Sequence, residues 1–254
     1  MSTLVLLRHG RSTANTGGVL AGWTPGVNLD DHGRKQADAV AARLRSVPLG
    51  AIVTSPLDRC QQTIAPIWAD RELCQQPAER ATESMLKPVI DDRLGECRYG
   101  DWTGRKITDL VKEPLWKVVQ QHPSAAVFPG PEGEGLAATQ ARAVAAVREW
   151  NARVEAEHGP NAVWLACSHG DVIKAILADA YGMHLDLFQR IVVDPCSVSI
   201  VRYSETRPFV VRVNDIGGDL TGLLPPEKPA ADEAAEPEQV AASDAVVGGG
   251  AGPG

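Results

Sequence analysis

No stretch of this 254-residue chain approaches the roughly 20 consecutive apolar residues that a membrane-spanning helix needs. The N-terminus lacks a charged segment ahead of an apolar one, and Arg8 breaks the first apolar run too early for a signal peptide. Basic residues are outnumbered, with 25 Lys and Arg against 32 Asp and Glu, a net charge of −7. That balance argues against nucleic acid as a main partner, because phosphate backbones attract basic surfaces. It leaves room for a small basic pocket. Cysteine is sparse: Cys60, Cys74, Cys97, Cys167 and Cys196 are scattered, odd in number, and form no CxxC pair and no metal-ligand spacing. Reduced thiols in a cytoplasmic protein are the expectation, rather than a disulfide framework. No internal repeat is present. What remains is an ordinary globular composition, 44% hydrophobic and 22% charged.

Composition divides the chain near residue 220. Beyond it, residues 221–254 are rich in Pro, Ala, Glu and Gly and contain no aromatic residue. Such a segment buries too little apolar surface to offset its ordering entropy, so a disordered acidic tail is expected. Before it, in 1–220, strand and helix signals alternate. Strands are expected at 3–7, 51–54, 86–90, 162–166, 197–203 and 208–213. Helices are expected from Asp30 or Asp31 to Arg45, from Ser55-Pro56 towards Asp70, over 105–121, from Gly133-Glu134 to 157, and over 172–180. Ser55 is read there as an N-cap ahead of a proline at the first helical position. This alternation predicts an α/β fold, a three-layer α/β/α sandwich on a mostly parallel sheet. Edge strands near the C-terminus leave a homodimer open.

Two histidines stand in matching settings. The buried-strand pattern Leu4-Val5-Leu6-Leu7 runs into Arg8-His9-Gly10, and Ala162–Ala166 runs into Ser168-His169-Gly170. In open α/β sheets, ligands bind at the carboxyl ends of strands. Both imidazoles are therefore expected at one sheet edge, and the glycine after each lets a ligand approach the main chain. Arg59 follows the 51–54 strand and is a candidate for the same crevice. Guanidinium forks bind phosphate oxygens in pairs, so Arg8 and Arg59 suit a phosphomonoester. Glu96, embedded in the loop Leu94–Gly104, is a candidate general acid whose spacing alone does not separate it from an ion-pairing glutamate.

Taken together, these segments resemble the histidine phosphatase superfamily, also called the phosphoglycerate mutase-like family. The resemblance rests on LVLLRHGRSTAN at 4–15, Gly22-Trp23, NLDDHGRKQA at 28–37, TSPLDRCQQT at 54–63, LGECRYGDWTG at 94–104, PGPEGEG at 129–135 and CSHG at 167–170. It covers residues 3 to about 215. It implies that His9 is the nucleophile that becomes phosphorylated. It implies that Arg8, Arg59 and His169 bind phosphoryl oxygens and that Glu96 protonates the leaving oxygen, then activates water. Ser12, Asn15, Gly22, Tyr99 and Gly170 match positions that line the phosphate or substrate pocket. No metal and no cofactor is implied, and the partner is a small phosphorylated substrate, with no nucleic acid and no membrane.

The chain also departs from the family's mutases. Ala14 stands where many mutases have tryptophan, Ala21 where they have threonine, and Cys97-Arg98 where they have Arg-His. Asp171 replaces an asparagine and Gly135 a serine. The stretch from Gly104 to Pro129 is short and lacks the arginine pair that cofactor-dependent mutases use for the substrate carboxylate. The expected activity is thus hydrolysis of a phosphomonoester through phosphohistidine. The alternatives are a phosphomutase, or a phospho-ligand-binding module without catalysis.

Overall fold

The computed structural model describes residues 1–74, 87–218 and Gly250. In chain order the elements are β1 (Ser2–Arg8), α1 (Thr13–Thr16), α2 (Asp31–Leu44), β2 (Leu49–Thr54), α3 (Asp58–Cys74), β3 (Val89–Ile90), α4 (Ile107–Leu110), α5 (Pro114–Gln121), α6 (Leu136–His158), β4 (Val163–Ser168), α7 (Gly170–Tyr181), β5 (Val198–Tyr203) and β6 (Pro208–Asp215). They build one six-stranded sheet in the order β3-β2-β4-β1-β5-β6. The first four of these strands are mutually parallel, and β5 and β6 close the sheet antiparallel.

The side-chain period of two along a strand explains the layers. On β1, Leu4 and Leu6 enter the core shared with α6 and α7, while Val5 and Leu7 enter the core shared with α2 and α3. On β4, Trp164 and Ala166 face the first core, Leu165 and Cys167 the second. The continuous apolar runs are therefore strands covered on both faces, as expected for the parallel part of a sheet. Among the described residues, no helix is long and apolar enough to cross a membrane.

Beyond shifts of a residue or two at strand and helix ends, four elements differ from the sequence reading. The helix after β2 starts at Asp58 rather than Ser55, because Ser55 and Pro56 belong to the turn at the sheet edge. The 105–121 helix is two helices, α4 and α5, since Pro114 lacks an N–H and starts a new helix instead of continuing one. Helix α6 begins at Leu136 with Gly135 as its N-cap, so Glu134 lies outside it. The third strand is only Val89–Ile90, and the start of the segment assigned to it lies outside the described residues. So does the 221–254 tail, Gly250 excepted.

Candidate active site

Strand register places the two histidines. Arg8 pairs with Ser168 and Leu7 with Cys167 across the parallel β1–β4 ladder, so His9 and His169 leave adjacent strands at the same level. Their ring centroids lie 5.1 Å apart. On the far side of β4, Thr54 pairs with Cys167, which brings Ser55 and the start of α3 to the same edge. Arg59, in the first turn of α3, projects from there towards β1.

The hydrogen bonds define the protonation of His9. Its Nδ1 lies 2.8 Å from the Gly10 carbonyl, which can only accept, so Nδ1 carries a proton. Arg59 Nε donates to His9 Nε2 at 3.3 Å, so that nitrogen presents a lone pair. Burial, then the charges of Arg59 and Arg8, hold the imidazole well below its ordinary basicity. His9 is thus a neutral ring with Nε2 as the available nucleophilic atom. It lines a cavity with Ser12, Asn15, Gly22, Arg59, Glu96 and Tyr99.

The arginines are held by main-chain oxygens. Arg8 is fully buried and its Nη1 donates to the Val193 carbonyl at 2.7 Å. Its Nη2 donates to the Gly250 carbonyl at 2.9 Å, and Gly250 also lines the cavity. Arg59 Nη2 donates to the Gly22 carbonyl at 3.0 Å. Gly22 adopts φ +51°, a left-handed conformation that suits glycine and turns this carbonyl inward. Among the described residues, Arg59 Nη1 is buried without a hydrogen-bond partner. Two buried guanidiniums beside a neutral imidazole suit an anion.

His169 is fully buried and its Nε2 meets the Ser55 hydroxyl at 2.7 Å. Burial, followed by Arg59, lowers its basicity too. Ser55 donating to Nε2 puts the ring proton on Nδ1, which among the described residues makes no hydrogen bond. That Nδ1 lies 3.7 Å from Glu96 Oε2. Glu96 is itself 2% exposed, with Oε1 accepting from the Cys97 amide. Burial first, then the charge of Asp171, push its pKa up to about 7, against the opposing pull of Arg59 and Arg8. At neutral pH it can therefore both give and accept a proton.

Each expected site residue is near this edge, but their attachments differ. Ser12 caps α1 and pairs with Asn15, its hydroxyl donating to Asn15 Oδ1 at 2.8 Å, so the two line the cavity as a unit. Tyr99 is buried and its hydroxyl donates to Asp171 Oδ2 at 2.8 Å. Gly170 opens α7 directly after His169. The sequence reading missed Ser55, because a serine before proline carries the same signature as a helix cap. Glu134 binds Arg142 at 2.6 Å, and Arg142 donates to the carbonyls of Arg93, Gly95 and Glu96, fastening the loop that carries Glu96. Trp23 Nε1 donates to the same Glu96 carbonyl at 2.6 Å. Among the described residues, no group of three or more His, Cys, Asp or Glu side chains is arranged to hold a metal ion.

A model of the histidine phosphatase superfamily (branch 1) matches residues 4–216. The chain belongs to that superfamily. Among curated relatives of this chain, a 2,3-bisphosphoglycerate-dependent phosphoglycerate mutase 2 from Gloeobacter violaceus is 30% identical over 199 residues, covering 77% of this chain and 83% of that one. An adenosylcobalamin/alpha-ribazole phosphatase from Escherichia coli is 31% identical over 186 residues, 71% of this chain and 79% of that one. Among solved structures, Bacillus stearothermophilus YhfR aligns with a TM-score of 0.71 at 26% identity, covering 85% of this chain and 98% of that one. The relatives thus include both phosphatases and phosphomutases.

Proposed function

We propose that this chain is a phosphomonoester hydrolase that works through a phosphohistidine on His9 and acts on a small phosphorylated metabolite. The observation that carries the reading is the unprotonated Nε2 of His9, its ring oriented by the Gly10 carbonyl and its lone pair facing Arg59. In the first step Nε2 attacks phosphorus, the ester P–O bond breaks, and the leaving oxygen takes the proton of Glu96. In the second step a water attacks phosphorus while Glu96, now a carboxylate, takes its proton. The P–N bond breaks, phosphate leaves, and His9 is neutral again. Splitting hydrolysis in this way replaces one difficult step by two easier ones. Arg8, Arg59 and the Nδ1–H of His169 stabilise charge on the equatorial oxygens, where fixed positive charge accelerates phosphoryl transfer most.

Hydrolysis is favoured over mutation by the 105–129 stretch. Its one arginine, Arg105, is engaged by Glu113 at 2.6 Å, leaving no arginine pair to grip a substrate carboxylate. The test is turnover of p-nitrophenyl phosphate and a panel of phosphometabolites, with acid quenching to trap labelled protein. Stoichiometric inorganic phosphate and a label lost in His9→Ala are expected. Phosphate release at the full rate by His9→Ala overturns the mechanism, and transfer to a second hydroxyl without phosphate release favours the mutase.

A further inference from the structure

A second carboxylate stands behind this anion site, held by Tyr99, which lines it. Asp171 sits in the first turn of α7, two residues after His169, and is 1% exposed. Burying an acidic group beside a phosphate pocket opposes anion binding, so its presence calls for a compensating role. Its location points to that role: it follows by two residues His169, whose Nδ1 lies 3.7 Å from Glu96 Oε2. Tyr99, three residues beyond Glu96 in the same loop and lining the same cavity, donates its hydroxyl to Asp171 Oδ2 at 2.8 Å. The Tyr99 ring is wedged edge-on against Phe128 at 4.9 Å, which fixes this hydrogen bond in place.

We propose that Asp171, tethered by Tyr99, is a positioning residue that keeps Glu96 in its acid form and thereby fits the site to phosphate esters of aliphatic alcohols. The inference rests on the reading of Glu96 as proton donor. Aliphatic alkoxides are poor leaving groups and need a proton as the P–O bond breaks, whereas p-nitrophenolate does not. A negative charge close to Glu96 is what a donor to such esters requires.

Glu96 faces charged and titratable groups from every side. Arg8 and His9 come from the end of β1, Arg59 from α3, and His169 from the end of β4. Asp171 and Lys174 come from α7, Arg142 from α6, and Cys97 and Tyr99 from its own loop. The nearby cations all favour the carboxylate form. Asp171 is the carboxylate that counters them, and Lys174, one turn along α7 with its Nζ held by Gln189 at 3.1 Å, compensates the charge of Asp171 in turn.

The test is Asp171→Asn, whose side-chain oxygen can still accept from Tyr99 and so preserves the packing. The primary readout is the infrared carbonyl band of protonated Glu96, assigned by its loss in Glu96→Gln and followed against pH. It requires no turnover. Its midpoint is expected to fall by about one pH unit in Asp171→Asn. A second readout is kcat/KM for glycerol 2-phosphate and p-nitrophenyl phosphate. At pH 8 the variant is expected to lose roughly tenfold on the alkyl ester and less than about twofold on the aryl ester. An unmoved infrared midpoint overturns the proposal. A shifted midpoint together with full alkyl-ester turnover by Glu96→Gln instead removes Glu96 as the donor, leaving the electrostatic link intact and the functional reading wrong.

Discussion

Arg59 Nε donates to His9 Nε2 across 3.3 Å, so the atom expected to attack phosphorus is already paired with the group expected to receive the phosphoryl oxygens. Substrate must take the guanidinium's place at Nε2 while keeping its charge. Arg59→Lys retains the charge but not the planar fork that also reaches the Gly22 carbonyl. A fall in kcat on the order of 100-fold or more is expected, the usual cost of one misplaced donor in a charge-stabilising site. Arg59→Ala additionally removes a charge that disfavours protonation of His9, so the acid limb of its kcat/KM profile moves to higher pH. Steady-state pH profiles check both.

Stability should depend on pH with a sign set by three buried groups. His9 and His169 are lowered well below 6.5, so under acid conditions the unfolded chain binds two protons that the folded chain refuses. Glu96 is raised from 4.5 to about 7, so between those values the folded chain holds one proton that the unfolded chain lacks. Two against one leaves stability falling as pH drops through the lower part of this window, by up to about 1.4 kcal/mol per pH unit. Urea melts in phosphate-free buffers measure it. In a His9→Asn, His169→Asn double variant Glu96 alone of the three remains, and above about pH 5.5, clear of the lowered carboxylates such as Glu134 and Asp91, the slope should reverse.

Gly10 is tightly enclosed: a Cβ there would lie 2.7 Å from the Gly33 carbonyl oxygen and 3.2 Å from Cys196 Sγ. Gly10→Ala must shift the loop whose carbonyl orients His9. A loss of about 1–3 kcal/mol in stability is expected, with kcat down tenfold or more. Gly182→Ala is the control. Gly182 ends α7 at φ +65° in open space, so it should cost about 1 kcal/mol through backbone strain and leave kcat unchanged.

The Gly250 carbonyl occupies Arg8 Nη2 and lines the cavity. A group tethered to the same chain competes at an effective concentration on the order of millimolar. Ending the chain at Gly218 is expected to lower KM for p-nitrophenyl phosphate several-fold at constant kcat. A peptide of the last eight residues, added back, should inhibit competitively. Unchanged KM on truncation would mean that this carbonyl offers no competition.

The sheet and the histidine pair were legible because each signal was local: an apolar run and the polar residue ending it are contiguous in sequence. Arg59 was legible for the same reason, one helical turn beyond a strand. The supports of the site were not. Ser55 carries the signature of a helix cap, and only the β2–β4 pairing turns it towards His169. Arg142 looks like a solvated charge on a long amphipathic helix until α6 is laid across the loop whose carbonyls it binds. Asp171 stood out as a departure, but its meaning depends on Tyr99, 72 positions away in sequence. The break between α4 and α5 was readable from Pro114, and the helical periodicity around it outweighed that residue.

The 5.1 Å between the two imidazoles is close to the roughly 4.8 Å spacing of neighbouring strands. The pair is therefore gauged by the main-chain ladder of β1 and β4, whose ruler does not depend on any loop. The segment from the start of α4 to the end of α5, which stops short of Phe128 and Glu134, can lengthen, shorten or be exchanged without altering that gauge. Grafting it from a relative with another substrate should transfer preference for the alcohol while leaving the phosphoryl chemistry in register. The fold thus separates the part of the chain that is free to diverge from the part that is not.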